Sequence, residues 1–275
     1  FGMLYPDSLL PVGPNYTMIE AAVIEAAHAG CNTIWIVCND DVSPLVRHQI
    51  GDFIQDPIHF YNKYSGRIKD RRIRIPIFWV PIHPKDRDKR DCLAWSVIQA
   101  ALTAVKISDS ISKWLIPDKY YVSFPYGIFD PRPIGKLRKT IKTKQNFYVR
   151  HQNQTVRDNN YTSFTFGREE FITYRRNIRK GTGAYTTDIV DERGIPRSKL
   201  PIEKRWSARF FDLKDVFTGV SLEGSNFYDA PDFHNIGCWQ DYKDYMGSDL
   251  ASIIKRPTKE LFSYREFNRI GIDRD

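Results

Sequence analysis

The sequence predicts an open α/β domain with a mixed, mainly parallel sheet, crossover helices and a smaller β-rich insertion in its second half. Apolar, β-branched runs of strand length alternate with amphipathic helical stretches in the first half of the chain, a pattern typical of βαβ units. The 275 residues, of which 41% are apolar and 27% charged, can bury a substantial core and have an ordinary globular composition.

The first helix and the strand after it give the clearest local pattern. Apolar residues recur at helical spacing over residues 18–27. Thr17 can cap this helix, Glu20 stands at the capping-box position, and Gly30 occupies the expected C-cap. The continuous apolar run 33–38 then predicts a strand buried on both faces of a parallel sheet.

The later elements continue this alternation up to about residue 141. The sequence predicts a helix over 43–53 with Pro44 in its first turn, a strand over 75–80, a polar loop over 84–91, a helix over 92–105 and a strand over 120–124. The β-rich insertion follows, with predicted strands at 146–150, 161–166 and 207–211, a charged helix at 168–178 and a long loop at 181–199.

Composition and charge narrow the class of protein. The net charge of +8 favours a phosphate-bearing partner, but no nucleic-acid-binding motif accompanies it, so nucleic acid is not the favoured partner. The four cysteines form no C-x-x-C pair, which favours reduced thiols in a cytoplasmic protein over a zinc site. No apolar run is long enough to span a membrane, and no signal peptide is visible.

Two loops are candidate ligand sites on their own chemistry. Asn39 and Asp40 follow the predicted strand 33–38, and ligands of open α/β sheets bind beyond the carboxyl ends of strands. Asp40 could also be a weak metal ligand, or could simply cap the next helix. Arg87, Lys89 and Arg90 precede a predicted helix whose N-terminal N–H groups could hold a phosphate, although this loop could equally be a solvated turn.

The order and spacing of several segments resemble those of the nucleoside-triphosphate-dependent sugar-1-phosphate nucleotidyltransferases. The matching segments are Leu9-Leu10-Pro11-Val12-Gly13, Met18-Ile19-Glu20, residues 29–37, residues 91–95, Glu203-Lys204 and residues 233–242. The resemblance implies a Rossmann-like fold of nucleotidyltransferase or GT-A type over residues 1–245. Residues 1–140 would form its nucleotide-binding half, 141–245 its sugar-phosphate and lid half, and 246–275 a C-terminal arm.

The resemblance also implies an activity and a set of site residues. The activity is transfer of a nucleotidyl group from a nucleoside triphosphate to a sugar-1-phosphate, with Mg²⁺ and release of pyrophosphate; a homo-oligomer is compatible with it. Related reading frames look like those of tailed phages, which would place the protein in the host cytoplasm. The implied nucleotide-binding residues are Leu10, Pro11, Val12 and Gly13; the implied sugar-phosphate residues are Glu203, Lys204 and Tyr126, with Lys204 as a catalytic cation; the implied metal ligand is Asn235.

The departures from the family pattern concern its charged groups. The family's Gly-rich loop belongs before Pro6, and its catalytic lysine falls at Asp7. Its two metal-binding aspartates fall near residues 125–126 and at Asn235, which is a weaker Mg²⁺ ligand. Since phosphoryl transfer depends on charge placement, three functions stay open: an active nucleotidyltransferase, an inactive structural or interaction module, and a nucleotide-sugar-dependent glycosyltransferase acting on phage DNA. The last would use the Asp-x-Asp run 86–88.

Overall fold

The structure, a computed structural model, describes residues 2, 5–61, 73–82, 92–113, 116–181, 192, 211–258 and 261–262. Its helices are α1 (Met18–Ala29), α2 (Ser43–Ile50), α3 (Pro57–Tyr61), α4 (Leu93–Ile111), α5 (Arg132–Lys136), α6 (Arg138–Ile141), α7 (Arg168–Gly181), α8 (Leu213–Val216), α9 (Trp239–Met246) and α10 (Asp249–Ile253). Its strands are β1 (Pro11–Gly13), β2 (Tyr16–Thr17), β3 (Ile34–Cys38), β4 (Phe53–Gln55), β5 (Arg74–Pro81), β6 (Lys119–Val122), β7 (Gly127–Ile128), β8 (Phe147–Arg150), β9 (Phe164–Gly167), β10 (Asn226–Asp229) and β11 (His234–Asn235).

The described strands form four sheets of mixed direction. In the order β3-β5-β4, strand β5 runs parallel to β3 and antiparallel to β4. In the order β10-β8-β9-β6, the β10–β8 pair is parallel and the other two pairs are antiparallel. Two antiparallel ribbons, β1–β2 and β7–β11, complete the set. The mixed α/β architecture predicted from the sequence is confirmed.

Helix α1 forms as its sequence predicts, because both of its ends are capped. The Thr17 backbone N–H donates to the Glu20 carboxylate at 2.9 Å, and the Glu20 N–H donates back to the Thr17 hydroxyl at 3.5 Å. At the other end Gly30 adopts φ 83°, a left-handed conformation that favours glycine. The capping box and the C-cap glycine are therefore both confirmed.

The helix predicted over 43–53 is shorter in the structure. Helix α2 ends at Ile50, because Gly51 takes a left-handed φ of 85° and turns the chain out of the helix. Residues 53–55 instead form β4, which pairs with β5 and buries Ile54 completely. The helical spacing of apolar residues continues past Gly51 in the sequence. The conformation of residues 53–55 is decided instead by their pairing with β5.

The buried apolar side chains of the described residues form three clusters, of which two are large. The first core combines α1 with β3, β4 and the β1–β2 ribbon, and the second combines α4 and α7 with β6 and β9. Several buried residues beyond position 245 belong to the first core: Leu250, Ile254, Leu261 and Phe262. The division near residue 245 stays a prediction. Among the described helices, none is long and apolar enough to cross a membrane.

Candidate functional site

The candidate site lies past the carboxyl ends of β3 and β6. A cavity of about 1210 Å³ lies between these strands, and Asp7, Asn39 and Tyr126 are among its lining residues. Asp7 belongs to a short 3-10 helix ahead of β1, Asn39 directly follows β3, and Tyr126 follows β6. The fold therefore collects at one cavity three residues that the sequence marked as separate candidates.

The charge of the Asp7 carboxylate acts on the Tyr126 phenol in this cavity. Burial raises the pKa of Tyr126 to about 12, and the charge of Asp7 and the phenol of Tyr161 add to the increase. The Tyr126 ring packs against Tyr161 with ring centroids 5.3 Å apart. A neutral phenol and a carboxylate can both hydrogen-bond a hydroxyl group, but the carboxylate repels a phosphate.

The segment Leu10 to Gly13 is held in place by its own backbone. The Leu10 carbonyl accepts the Met18 N–H at 2.9 Å, which joins the segment to the start of α1. From α9, Tyr242 donates its hydroxyl to the Pro11 carbonyl at 2.8 Å and Tyr245 donates to the Val12 carbonyl at 2.5 Å. Leu10 and Val12 are buried, and the lining of the main cavity includes none of the residues from Leu10 to Gly13, so this segment contributes packing rather than contacts to that cavity.

The two tyrosines of α9 are functional-site neighbours that sequence reasoning missed. Tyr242 is the last residue of the segment 233–242 that resembles the family, and Tyr245 lies beyond that segment. Their one visible signal is the three-residue spacing, which places both on the same helix face. Through Tyr242, the late segment 233–242 anchors the early segment Leu9 to Gly13.

Asn39 and Asp40 point to different surroundings although they are adjacent. The Asn39 side-chain oxygen is buried without a hydrogen-bond partner among the described residues, and Asn39 lines the main cavity. Asp40 instead lines a separate groove of about 520 Å³ beside α2. The N-cap residue of α2 is Val42, which makes no side-chain cap hydrogen bond. Of the pair, Asn39 is therefore the one placed to meet a ligand in the main cavity.

Asn235 sits beside the same site but is already engaged. Its side-chain oxygen accepts the Tyr161 backbone N–H at 2.8 Å, and its strand pairs with β7 at Gly127. No cluster of three or more His, Cys, Asp or Glu side chains that could hold a metal ion occurs within the described ranges. The Mg²⁺ ion that the family resemblance implies therefore stays a prediction, because such an ion is usually held by one or two carboxylates together with substrate phosphates.

The remaining predicted site residues lie outside the described residues. They are Arg87, Lys89, Arg90, Glu203 and Lys204. The Asp-x-Asp run 86–88 lies there too. The roles that the sequence assigns to these residues therefore stay predictions.

A buried carboxyl group next to the cavity was also missed by sequence reasoning. Glu25 of α1 is 3% exposed, and it accepts hydrogen bonds from the Tyr121 hydroxyl at 2.5 Å and the Ser123 hydroxyl at 2.6 Å. Burial raises its pKa to about 7, although hydrogen bonds from neighbouring hydroxyl groups act to lower it. The available signal was a glutamate within an otherwise apolar helix face, which needs an internal partner.

Comparison with known proteins supports the fold. No family model and no curated protein matches the sequence. Among solved structures, a Bacillus anthracis protein described as a glucose-1-phosphate thymidylyltransferase, in complex with sucrose, is similar with a TM-score of 0.51 and 11% sequence identity. The similarity covers 92% of this chain and 89% of that one. The chain therefore has a Rossmann-like α/β fold of the nucleotidyltransferase type.

Proposed function

We propose that this chain is a nucleotidyltransferase-like protein that does not transfer nucleotidyl groups and acts as a binding or interaction module. The observation that carries the proposal is Asp7, which lines the main cavity where the resembling family has a lysine. Nucleotidyl transfer needs positive charge against the phosphate that takes on negative charge in the transition state. A carboxylate at that position opposes the reaction.

The other described groups support the same conclusion. The Asn235 oxygen is occupied by a backbone N–H, and Asn39 and Tyr126 offer neutral hydrogen-bonding atoms. Such a set suits the hydroxyl-bearing part of a nucleotide or sugar phosphate better than its phosphates. The ligand class that we propose is therefore a sugar or nucleoside moiety, bound without turnover.

The test combines turnover and binding. The protein is incubated with each nucleoside triphosphate, a panel of sugar-1-phosphates and Mg²⁺, while pyrophosphate release and thermal shift are recorded. We expect no pyrophosphate above the protein-free rate. Asp7→Lys should create or strengthen a thermal shift with triphosphates, because it reverses the charge in the cavity. Asp41→Lys makes the same charge change at an exposed position and should not.

Two alternatives correspond to different outcomes of these measurements. Release of pyrophosphate that requires both substrates would overturn the proposal in favour of an active nucleotidyltransferase, the kind of enzyme that the description of the similar structure names. In that event the predicted cations Arg87, Lys89, Arg90 and Lys204 become the first residues to substitute. A mass increase on nucleosides from DNA treated with nucleotide sugars would instead indicate a glycosyltransferase.

A further inference from the structure

The main cavity extends far beyond the candidate site and has the form of a slot. Its lining includes every residue of β3 on one side and every residue of β6 on the other. Within the described residues, β3 is an end strand of its sheet, paired to β5, and β6 is an end strand of the other sheet, paired to β9. Two strand edges that have no pairing partner among the described residues therefore border the same cavity of about 1210 Å³.

These two edges run in the same direction. At the start of β6, Lys119 donates to the Ile141 carbonyl at 3.0 Å, and ahead of β3, Gly30 packs against the Arg138 side chain of α6, which would lie 3.1 Å from a Cβ at that glycine. Both strands thus begin beside α6. At their far ends the slot is lined by Asn39 and Tyr126 together with Asp7. A strand placed between β3 and β6 would meet parallel neighbours on both sides.

The two faces of the slot are covered by helices from the two cores. Helix α1 lines one face with Ala22 and Ala26, and α4 lines the other with Val97 and Ala100. Small and apolar side chains on both faces leave room for an extended backbone whose own side chains are apolar on each side. A cleft of about 1210 Å³ is large enough to hold a ligand or a short chain segment.

We propose that the slot is a strand-acceptor site: it takes one extended polypeptide segment that is apolar on both faces. Strand β3 has 5 residues and β6 has 4, so an inserted segment of about five residues, at the usual strand rise, can pair with both. Its two backbone edges satisfy the N–H and C=O groups of β3 and β6 together. The insertion joins both sheets into one, in the order β4-β5-β3-inserted strand-β6-β9-β8-β10.

The occupant is a β-strand because other ligands cannot satisfy both edges. A small apolar molecule would fill volume but leave two rows of backbone groups without partners, which is costly away from water. A helix satisfies its backbone groups internally and would also leave both rows unpaired, whereas a strand can pair along both of its edges. Strand addition to an open sheet edge is an established mode of peptide recognition, and here it occurs on two edges at once.

The experiment adds such a strand and follows backbone hydrogen exchange. The probe is a capped peptide with the core Val-Ala-Ile-Val-Ala and two lysines at each end. We expect slower exchange in residues 34–38 and 119–122 and a saturable rise in thermal midpoint. A peptide with proline at the central position keeps apolar character but cannot donate to a ladder, so it should protect neither strand. The same core fused ahead of Phe1 through a Gly-Ser linker raises the effective concentration.

Variants on α4 test the location of binding. Ala100→Phe fills the slot and should abolish the protection by the peptide, whereas Lys106→Phe on an exposed part of the same helix should retain it. Unchanged exchange in the fused protein would overturn the proposal, as would equal protection by the proline peptide. Slow exchange of both strands before any peptide is added would also overturn it, since the slot would then be filled by the chain itself. Nucleotide binding at Asp7 is measured by the thermal shift with triphosphates, so the two proposals can fail independently.

Discussion

The Arg138 guanidinium forms a two-point ion pair with the Asp56 carboxylate, in which each terminal nitrogen lies 2.7 Å from one carboxylate oxygen. The same guanidinium donates to the Ala27 carbonyl at 2.6 Å and the His28 carbonyl at 2.8 Å. One side chain from α6 thus caps the carboxyl end of α1 and fixes the segment ahead of α3. Burial acts to raise the pKa of Asp56, but hydrogen bonds and charge from Arg138 hold it below its ordinary value.

Removing this guanidinium should be among the costliest single changes in the protein. The side chains of Arg138 and Asp56 are 22% and 10% exposed, so Arg138→Ala leaves a mostly buried carboxylate and helix-end carbonyls without their donors. We expect a loss of about 3–5 kcal/mol in the free energy of unfolding, measured in urea. Arg132→Ala, whose 72% exposed side chain pairs with Asp130, should lose under about 1 kcal/mol. Equal losses would contradict the structural role of Arg138.

Glu25 should make stability depend on pH. Its pKa is about 7 in the folded protein against 4.5 for the ordinary group, so the folded state binds this proton more tightly. The stability contributed by protonated Glu25 is fully present below pH 4.5 and is lost as the pH rises through about 7. The difference between the two pKa values corresponds to about 3 kcal/mol in the free energy of unfolding. Glu25→Gln cannot ionise, so its stability relative to the wild type should rise from near pH 5 to near pH 8 in urea titrations.

The comparison with Glu25→Gln isolates this one carboxyl group from other titrations. His28 in particular has a pKa lowered to about 4, chiefly by burial and also by the charge of Arg138. The folded protein therefore favours neutral His28, and this contribution to stability is lost as the pH falls below 6.5, the ordinary pKa of histidine. This is the opposite pH dependence to that of Glu25. A difference between the two proteins that stays constant across the range would show that Glu25 does not titrate as proposed.

Gly127 should tolerate no side chain. A Cβ built at this position would lie 2.1 Å from the Tyr161 carbonyl oxygen, which is backbone and cannot move aside cheaply. Gly127→Ala should separate β7 from residue 161. We expect it to lower the free energy of unfolding by about 3 kcal/mol, the upper part of the range for overpacked sites. Gly247→Ala is the matched control, because its nearest atom would be an ordinary contact at 3.6 Å. A comparable loss in both variants would show that the close approach at Gly127 is not what limits this position.

Sequence patterns predicted the elements whose signals are local. The Thr17–Glu20 capping box and the Gly30 cap depend on neighbouring residues, so they can be read without knowing the fold. The Arg138–Asp56 pair joins positions 82 apart in the chain, and no periodicity indicates such a partner. The grouping of Asp7, Asn39 and Tyr126 at one cavity likewise depends on which strands lie side by side. That order is decided by long-range pairing and packing rather than by local propensity.

The Glu20–Arg256 ion pair should hold the segment after α10 against the first core. The Glu20 side chain is fully buried and that of Arg256 is 10% exposed, while the Glu20 carboxylate also accepts from Thr17. Arg256→Ala would leave the buried carboxylate without its counter-charge, so we expect a loss of about 3 kcal/mol. Glu20→Gln removes that charge, so the second substitution in Glu20→Gln/Arg256→Ala should cost much less than Arg256→Ala alone. A double-mutant cycle in urea measures this coupling, and purely additive losses would assign the effect to packing of the arginine stem.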